Sequence, residues 1–353
     1  YSTVVIIMAV LTGLYVILGG YMATAINDFI QGIVMLFGIC AVIYSVLNGQ
    51  GGFYSSLSKL AAQVPIESDV IKVAGDGIFA SFFGPDPLNL LGVIILTSLG
   101  TWGLPQMVGK FYAIKSEKSI KTGMIVSTAF AVVVSGGCYF LGGFGRLFSD
   151  KIDIATGGYD SIIPTMLSTL PDILIGIVIV LVLSASMSTL SSLVLTSSST
   201  ITIDFLGTTV LKKTAEKKQV LLMKIFVVVF VAISVIIALN KDSIPNIAQL
   251  MGYSWGALAG AFLAPFMYGL YWKKVTKASV WASFIFSIIV TVTNMIWGYI
   301  QSPINAGAFT MLVSLILVPV ISLITPKMKK EETDKLFECF EEKVEVPVKD
   351  ALD

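Results

Sequence analysis

The chain has 353 residues, of which 56% are hydrophobic and 13% charged, with a mean hydropathy of +0.88 and a formal net charge of +1. A water-soluble domain carries about 25% charged residues, so this composition excludes a soluble globule, and the near-neutral charge offers no footprint for nucleic acid. Histidine is absent, which removes the usual general base and metal ligand. Cys40, Cys138 and Cys339 are too widely spaced for a disulfide framework or a zinc motif.

The chain opens on Tyr1 and turns apolar at Val4-Val5-Ile6-Ile7-Met8 with no basic n-region, unlike a signal peptide. It reads as a segment of a larger membrane protein. About 20 apolar residues cross roughly 30 Å of hydrocarbon as a helix. Nine stretches meet that requirement: 1–19, 26–47, 88–109, 122–144, 163–207, 219–239, 246–271, 278–299 and 306–325. Eighteen of the 23 basic residues fall at one set of boundaries, from Lys110 through the tail lysines up to Lys349. Lys59, Lys72, Arg146, Lys151 and Lys241 fall at the other. Because Lys and Arg are retained on the cytoplasmic side, residue 1 is expected outside and the tail inside. The expected organisation is a transmembrane domain over 1–325 and a solvated, partly helical tail over 326–353. Segment 48–87 is expected to be an external loop with a short helix.

Polar or irregular sequence within hydrocarbon is costly unless it lines a cavity, and four places break the apolar pattern. At Gly19-Gly20 through Gln31 a cytoplasmic turn is expected to lead into the second span. Asp28 then stands near the first turn, where with Gln31 it fits a capping box, or it supplies a carboxylate beside a cation route. At Leu99-Gly100-Thr101-Trp102-Gly103-Leu104-Pro105-Gln106, glycines and a proline interrupt the third span. That is either a kink or a discontinuous helix that frees backbone groups for a ligand. The run from Ser184 to Thr200 is rich in hydroxyls, and Ala185, Ser188, Thr189 and Ser192 fall on one helical face. Oxygen ligands suit a hard cation, yet small residues also let helices pack closely, and composition alone favours packing. Around Tyr253, aromatics alternate with glycines and fit either a cavity wall or a packed helix.

The strings GGYMATAINDFIQG, LGTWGLPQMVGKFYAIKSEKSIKTG, SASMSTLSSLVLTSSSTITIDF and GALAGAFLAPFMYGLYW, in that order, resemble the sodium:solute symporter family. The resemblance runs from about residue 10 to about 280, and the SMST segment is its most specific part. It implies an all-α polytopic membrane protein with an inverted-repeat, leucine-transporter-type core, with about nine of about thirteen transmembrane helices present. It implies a principal sodium site at the Ala185 carbonyl and the Ser188 and Thr189 hydroxyls, completed by a helix this chain lacks. A second sodium position is implied at Ser188, Ser191, Ser192 and Asp28, which favours the ion-route reading of Asp28, alone or together with the cap.

Thr101, Trp102, Gly103, Gln106 and Tyr253 are the cavity candidates. A tyrosine that gates the cavity in sodium–sugar members is replaced here by Thr101, which speaks against a sugar. The function implied is sodium-coupled symport of a small polar solute, an amino acid or organic acid before others, by alternating access. The partners are sodium, the solute and the lipid of the plasma membrane, with no nucleic acid, no cofactor and no enzymatic chemistry. A proton-coupled transporter of the same fold and a non-transporting sensor are the alternatives.

Overall fold

A computed structural model describes residues 1–63, 77–111, 114, 116–152, 158–209, 216–240 and 247–340. The end of the tail and Lys72, Lys115, Lys212, Lys213 and Lys241 of the charge pattern lie outside them. The described residues are helical, with no strand among them.

The first helix, α1 (Ser2–Gly49), has 48 residues and would measure about 72 Å if straight, more than twice a hydrocarbon core. It is broken at Gly20, whose φ of 57° and ψ of −151° are non-helical. Only glycine enters that region readily. Two arms result, numbered 2–19 and 21–49. The expected turn over 19–25 is therefore replaced by a single-residue break, and helix resumes at Tyr21. This corrects the capping reading: Asp28 lies two turns into the second arm, where the backbone N–H groups that a cap would satisfy are already bonded.

After α2 (Phe53–Ala61) come α3 (Pro87–Gly103) and α4 (Pro105–Phe111). Asp86 caps α3 by accepting from the Asn89 N–H at 3.0 Å, with Pro87 at the first helical position. The helix stops at Leu104, which is extended (φ −84°, ψ 117°), as a residue before proline prefers. The third span is thus discontinuous at the expected place. Then follow α5 (Glu117–Phe130), a π-helical stretch at Ala131–Ser135, and α6 (Gly136–Gly143). The long stretch expected over 163–207 is divided: α7 (Ile162–Leu167) is separate, and Pro171 precedes α8 (Asp172–Ser199), which runs on as a π-helix over Thr200–Leu206. The remaining elements are α9 (Glu216–Leu239), α10 (Ile247–Tyr271), α11 (Lys277–Trp297), α12 (Pro303–Ile324) and the tail helix α13 (Lys330–Phe337). Seven helical stretches are long and apolar enough to span a membrane, α1 being one, and α3 is a shorter apolar helix.

The chain divides into two compact units. Unit 1 holds residues 1–65, 75–81 and 124–246. In it the second arm of α1 packs on α8 through Ile39, Val42 and Val46 against Val178, while Val16 of the first arm meets Val194 and Val227. Unit 2 holds residues 66–74, 82–123 and 247–353. Its core is Leu96, Leu104, Ala259, Leu263 and Met311, from α3, α10 and α12. Glycine sets the helix spacing there. A Cβ on Gly256 would fall 2.7 Å from the Gly307 Cα, and one on Gly103 would fall 2.9 Å from the Ala259 Cα.

Candidate functional site

The hydroxyl-rich helix α8 belongs to unit 1 and lies against both arms of α1. The second arm runs antiparallel to it: Gly38 sits on the Leu181 side chain, and later residues of α1 meet earlier residues of α8. Counting back along both helices from that contact, Gln31 comes level with Ser188 and Asp28 with Ser191. The sequence reading placed Ala185, Ser188, Thr189 and Ser192 on one face, and the structure points the candidate set two ways. Ala185 and Thr189, with Ser186, Leu190 and Leu193, line a shallow groove of about 450 Å³. Ser191 is fully buried on the other side, and Ser188 and Ser192 are half-buried between the two.

The hydroxyl protons are committed in a consistent way. Thr189 Oγ1 donates to the Ala185 carbonyl at 3.0 Å, and Ser191 Oγ donates to the Ser188 carbonyl at 2.9 Å. A hydroxyl whose single proton is spent on its own helix offers only lone pairs outward, which is what a cation binds. The Ala185 carbonyl already accepts from its helix and from Thr189, so a metal ion there requires the threonine proton to swing away. The oxygens themselves are adjacent without further movement.

Around the Tyr15 phenol, together with Ser191, α1 supplies Asn27 and Asp28, and Gln31 lies one turn further along the same arm. One carboxylate oxygen of Asp28 is shut off from solvent. Gln31 is 7% exposed, and its Oε1 accepts no hydrogen bond. From the first arm, Tyr15 donates its phenolic proton to the Met187 carbonyl at 3.0 Å. Its other polar neighbours are Ser191, Asn27, Thr12 and the Asp28 carboxylate. Gln31 entered the sequence reading only as a capping partner, and Thr12 and Tyr15 did not enter it at all. Polar residues three apart in an aliphatic run were the available signal.

The solute candidates all lie in unit 2. Gly92, Leu96, Gly100 and Gly103 form the buried face of α3, with the Trp255 ring against Gly100. Gly103 is thus engaged in close packing against α10. Trp102, one residue earlier, points elsewhere and is 59% exposed. Thr101 bonds back to the Ser98 carbonyl at 3.2 Å. Gln106 is half-buried in the first turn of α4, and Tyr253 is half-buried on α10, two residues before Trp255.

A sequence model of the sodium:solute symporter family matches residues 1–287. The osmoregulated proline transporter OpuE of Bacillus subtilis is 24% identical over 328 residues, covering 93% of this chain and 63% of its own length. The sodium/pantothenate symporter of Haemophilus influenzae is 28% identical over 290 residues, covering 82% and 57%. The sodium/proline symporter of Staphylococcus aureus is 27% identical over 340 residues, covering 94% and 63%. The chain therefore spans about three fifths of the length of these relatives. Among solved structures, a sodium-coupled sialic acid symporter, described in a substrate-bound outward-open state with a novel sodium site, superposes with a TM-score of 0.70. It shares 18% identity and covers 93% of this chain and 68% of its own. That likeness gives the fold, the inverted-repeat, leucine-transporter type. With the family's sequence model matched over most of its length, the chain belongs to the sodium:solute symporter family.

Proposed function

We propose that this chain is the greater part of a secondary active transporter that couples sodium entry to uptake of a small polar solute, with an amino acid or organic acid preferred. The observation that carries the reading is the oxygen cluster of α8 in a chain of this family: the Ala185 carbonyl and Thr189 hydroxyl at a groove, with Ser188 beside them. Neutral oxygens hold sodium without a fixed counter-charge, so release on the low-sodium side stays feasible. The same cluster continues inward through Ser191 and Ser192 to Asp28, a second ion position or exit route. The additional length of the relatives is the source we assign to the remaining ligands at the groove. Thr101, Trp102, Gly103, Gln106 and Tyr253 are retained as the solute set, with Gly103 acting through backbone position. The basic residues put the tail, 326–353, in the cytoplasm of a plasma-membrane protein, and 1–325 is the transport domain.

Each positive charge that falls through 100 mV releases about 2.3 kcal/mol, before any concentration gradient. Sodium shifts the transporter between its two access states only by binding one of them better. Hydroxyls whose lone pairs converge in one state and separate in the other provide that difference.

The test is uptake by the complete transporter in vesicles. Ser188→Ala and Thr189→Ala are each expected to raise the half-saturating sodium concentration about tenfold, equivalent to roughly 1.4 kcal/mol. Replacing sodium by choline is expected to abolish uptake. Uptake that persists in choline under a proton gradient would replace sodium by the proton as coupling ion, with Asp28 as its carrier.

A further inference from the structure

The space where the two arms of α1 meet α8 collects more acceptors than the sodium positions discussed above require. Thr12 is fully buried, lies beside the Tyr15 phenol, and its Oγ1 has no hydrogen-bond partner. Leaving such a group unmatched in a low-dielectric interior costs about 1–3 kcal/mol, and it persists only where something else satisfies it. The Tyr15 proton is committed to the Met187 carbonyl. The phenol oxygen therefore turns its lone pairs toward Ser191, Asn27 and Asp28. Ser191 is in the same condition, its proton held by the Ser188 carbonyl. The result is a buried group in which the Tyr15 and Ser191 protons are directed outward, the Thr12 hydroxyl is uncommitted, and the Asp28 carboxylate and Asn27 amide stand beside them. A hard alkali cation is satisfied by acceptors alone.

We infer that Tyr15 and Thr12, from the first arm of α1, are cation ligands that close the inner ion position formed by Ser191 and Asp28. Beyond ligation, the arrangement ties ion occupancy to the geometry of α1. The break at Gly20 lets the two arms approach α8 independently, and an ion bridging Tyr15 and Thr12 on one arm to Asp28 on the other holds them together. The inference rests on the sodium-coupled reading above and adds residues to it.

The experiment measures sodium-dependent uptake by the complete transporter carrying Tyr15→Phe, Thr12→Val or Thr12→Ser, with Ser188→Ala alongside. Tyr15→Phe and Thr12→Val are expected to raise the half-saturating sodium concentration about tenfold, with maximal uptake at saturating sodium kept within about twofold. Thr12→Ser, which retains the hydroxyl, is expected to stay near wild type. A merely structural role would lower folded yield or maximal uptake and leave the sodium dependence unmoved, and that outcome overturns the inference. If Ser188→Ala shifts the sodium dependence and the other variants do not, the inference fails while the symport reading stands. If wild-type uptake ignores sodium, both fail. Should Tyr15→Phe not fold, Thr12→Val decides the question, since valine keeps the volume of threonine and lacks only its hydroxyl, while Thr12→Ser keeps the hydroxyl and reports the effect of losing the methyl.

Discussion

In unit 2, Ser283 donates to the carbonyls of Gly260 and Ala261, the Thr310 hydroxyl is shared between the carbonyls of Gly256 across the interface and Gly307 in its own helix, and Ser287 pairs with Ser314. All four hydroxyl side chains are fully buried between α10, α11 and α12, helices that approach at glycine contacts. In unit 1, Thr189 stands at an open groove, Ser188 and Ser192 are half-buried, and Thr12 is buried with no partner. The same residue type thus closes one helix packing and leaves another polar and open. Hydroxyls bonded across a close-packed interface are fixed in place, and their contribution is to stability. Hydroxyls whose protons return to their own helix beside free volume remain available to a ligand.

The comparison is tested most severely at its glycines. Gly256→Ala puts a methyl 2.7 Å from the Gly307 Cα, a backbone atom that cannot yield without moving α12. Overpacking of this kind costs about 3 kcal/mol, and a large fall in melting temperature in detergent, with lost folded yield, is expected. Gly176→Ala, in α8 with nothing within 4 Å of its new Cβ, is expected to be neutral or to stabilise by up to about 1 kcal/mol through helix propensity. Equal destabilisation at the two sites would mean that unit 1 is as tightly packed as unit 2.

A smaller effect separates the two kinds of hydroxyl directly. Ser283→Ala is expected to cost about 1 kcal/mol of stability, as removal of one buried hydrogen bond does, and to leave the sodium dependence of uptake unchanged. Ser191→Ala is expected to cost no more stability than Ser283→Ala, since its buried bond returns to its own helix, and in addition to move the half-saturating sodium concentration. A sodium shift at Ser283 as large as at Ser191 would break the distinction.

Parts of this arrangement were legible in the sequence where the signal is local. Pro105 ended the third span at its predecessor because the proline ring disfavours helix there, and nothing distant had to be known. The hydroxyl run of α8 was legible as a cluster, but its division was not. Ser191 turns inward and Thr189 outward only because α1 covers one side of α8, and α1 lies more than 120 residues earlier in the chain. Asp28 was misplaced for a similar reason. Gly19-Gly20 suggested a turn, whereas one glycine at a positive φ bends the chain while helix continues on both sides. The Tyr15–Met187 bond joins residues 172 apart, and no spacing rule reaches that far. Composition could not tell the serines of α11 and α12 from those of α8, because burial and partners distinguish them and type does not.

The smallest expected effect lies at the end of unit 2 where polar contacts meet solvent, and it sharpens the same contrast. Thr276 caps α11 and pairs with Thr325 at 2.7 Å, and Ser322 donates to Ser279 at 2.8 Å, both serines fully buried. Close to these, Lys273 reaches Asp334 of the tail helix α13 at 3.1 Å and lies 5.4 Å from the Phe337 ring, with the side chains of the ion pair 47% and 49% exposed. Exposed ion pairs contribute about 0.2–1 kcal/mol and are screened by salt. Lys273→Gln is therefore expected to lower the melting temperature less than Ser283→Ala does, although it removes a charge and Ser283→Ala removes one oxygen. Raising the salt concentration on the wild type should reproduce most of the lysine effect and leave the Ser283→Ala difference intact. If Lys273→Gln proved the more damaging, or its effect survived high salt, the tail would be docked by something stronger than this pair. The rule that burial rather than charge sets the worth of a polar contact in this chain would then fail at its most exposed test.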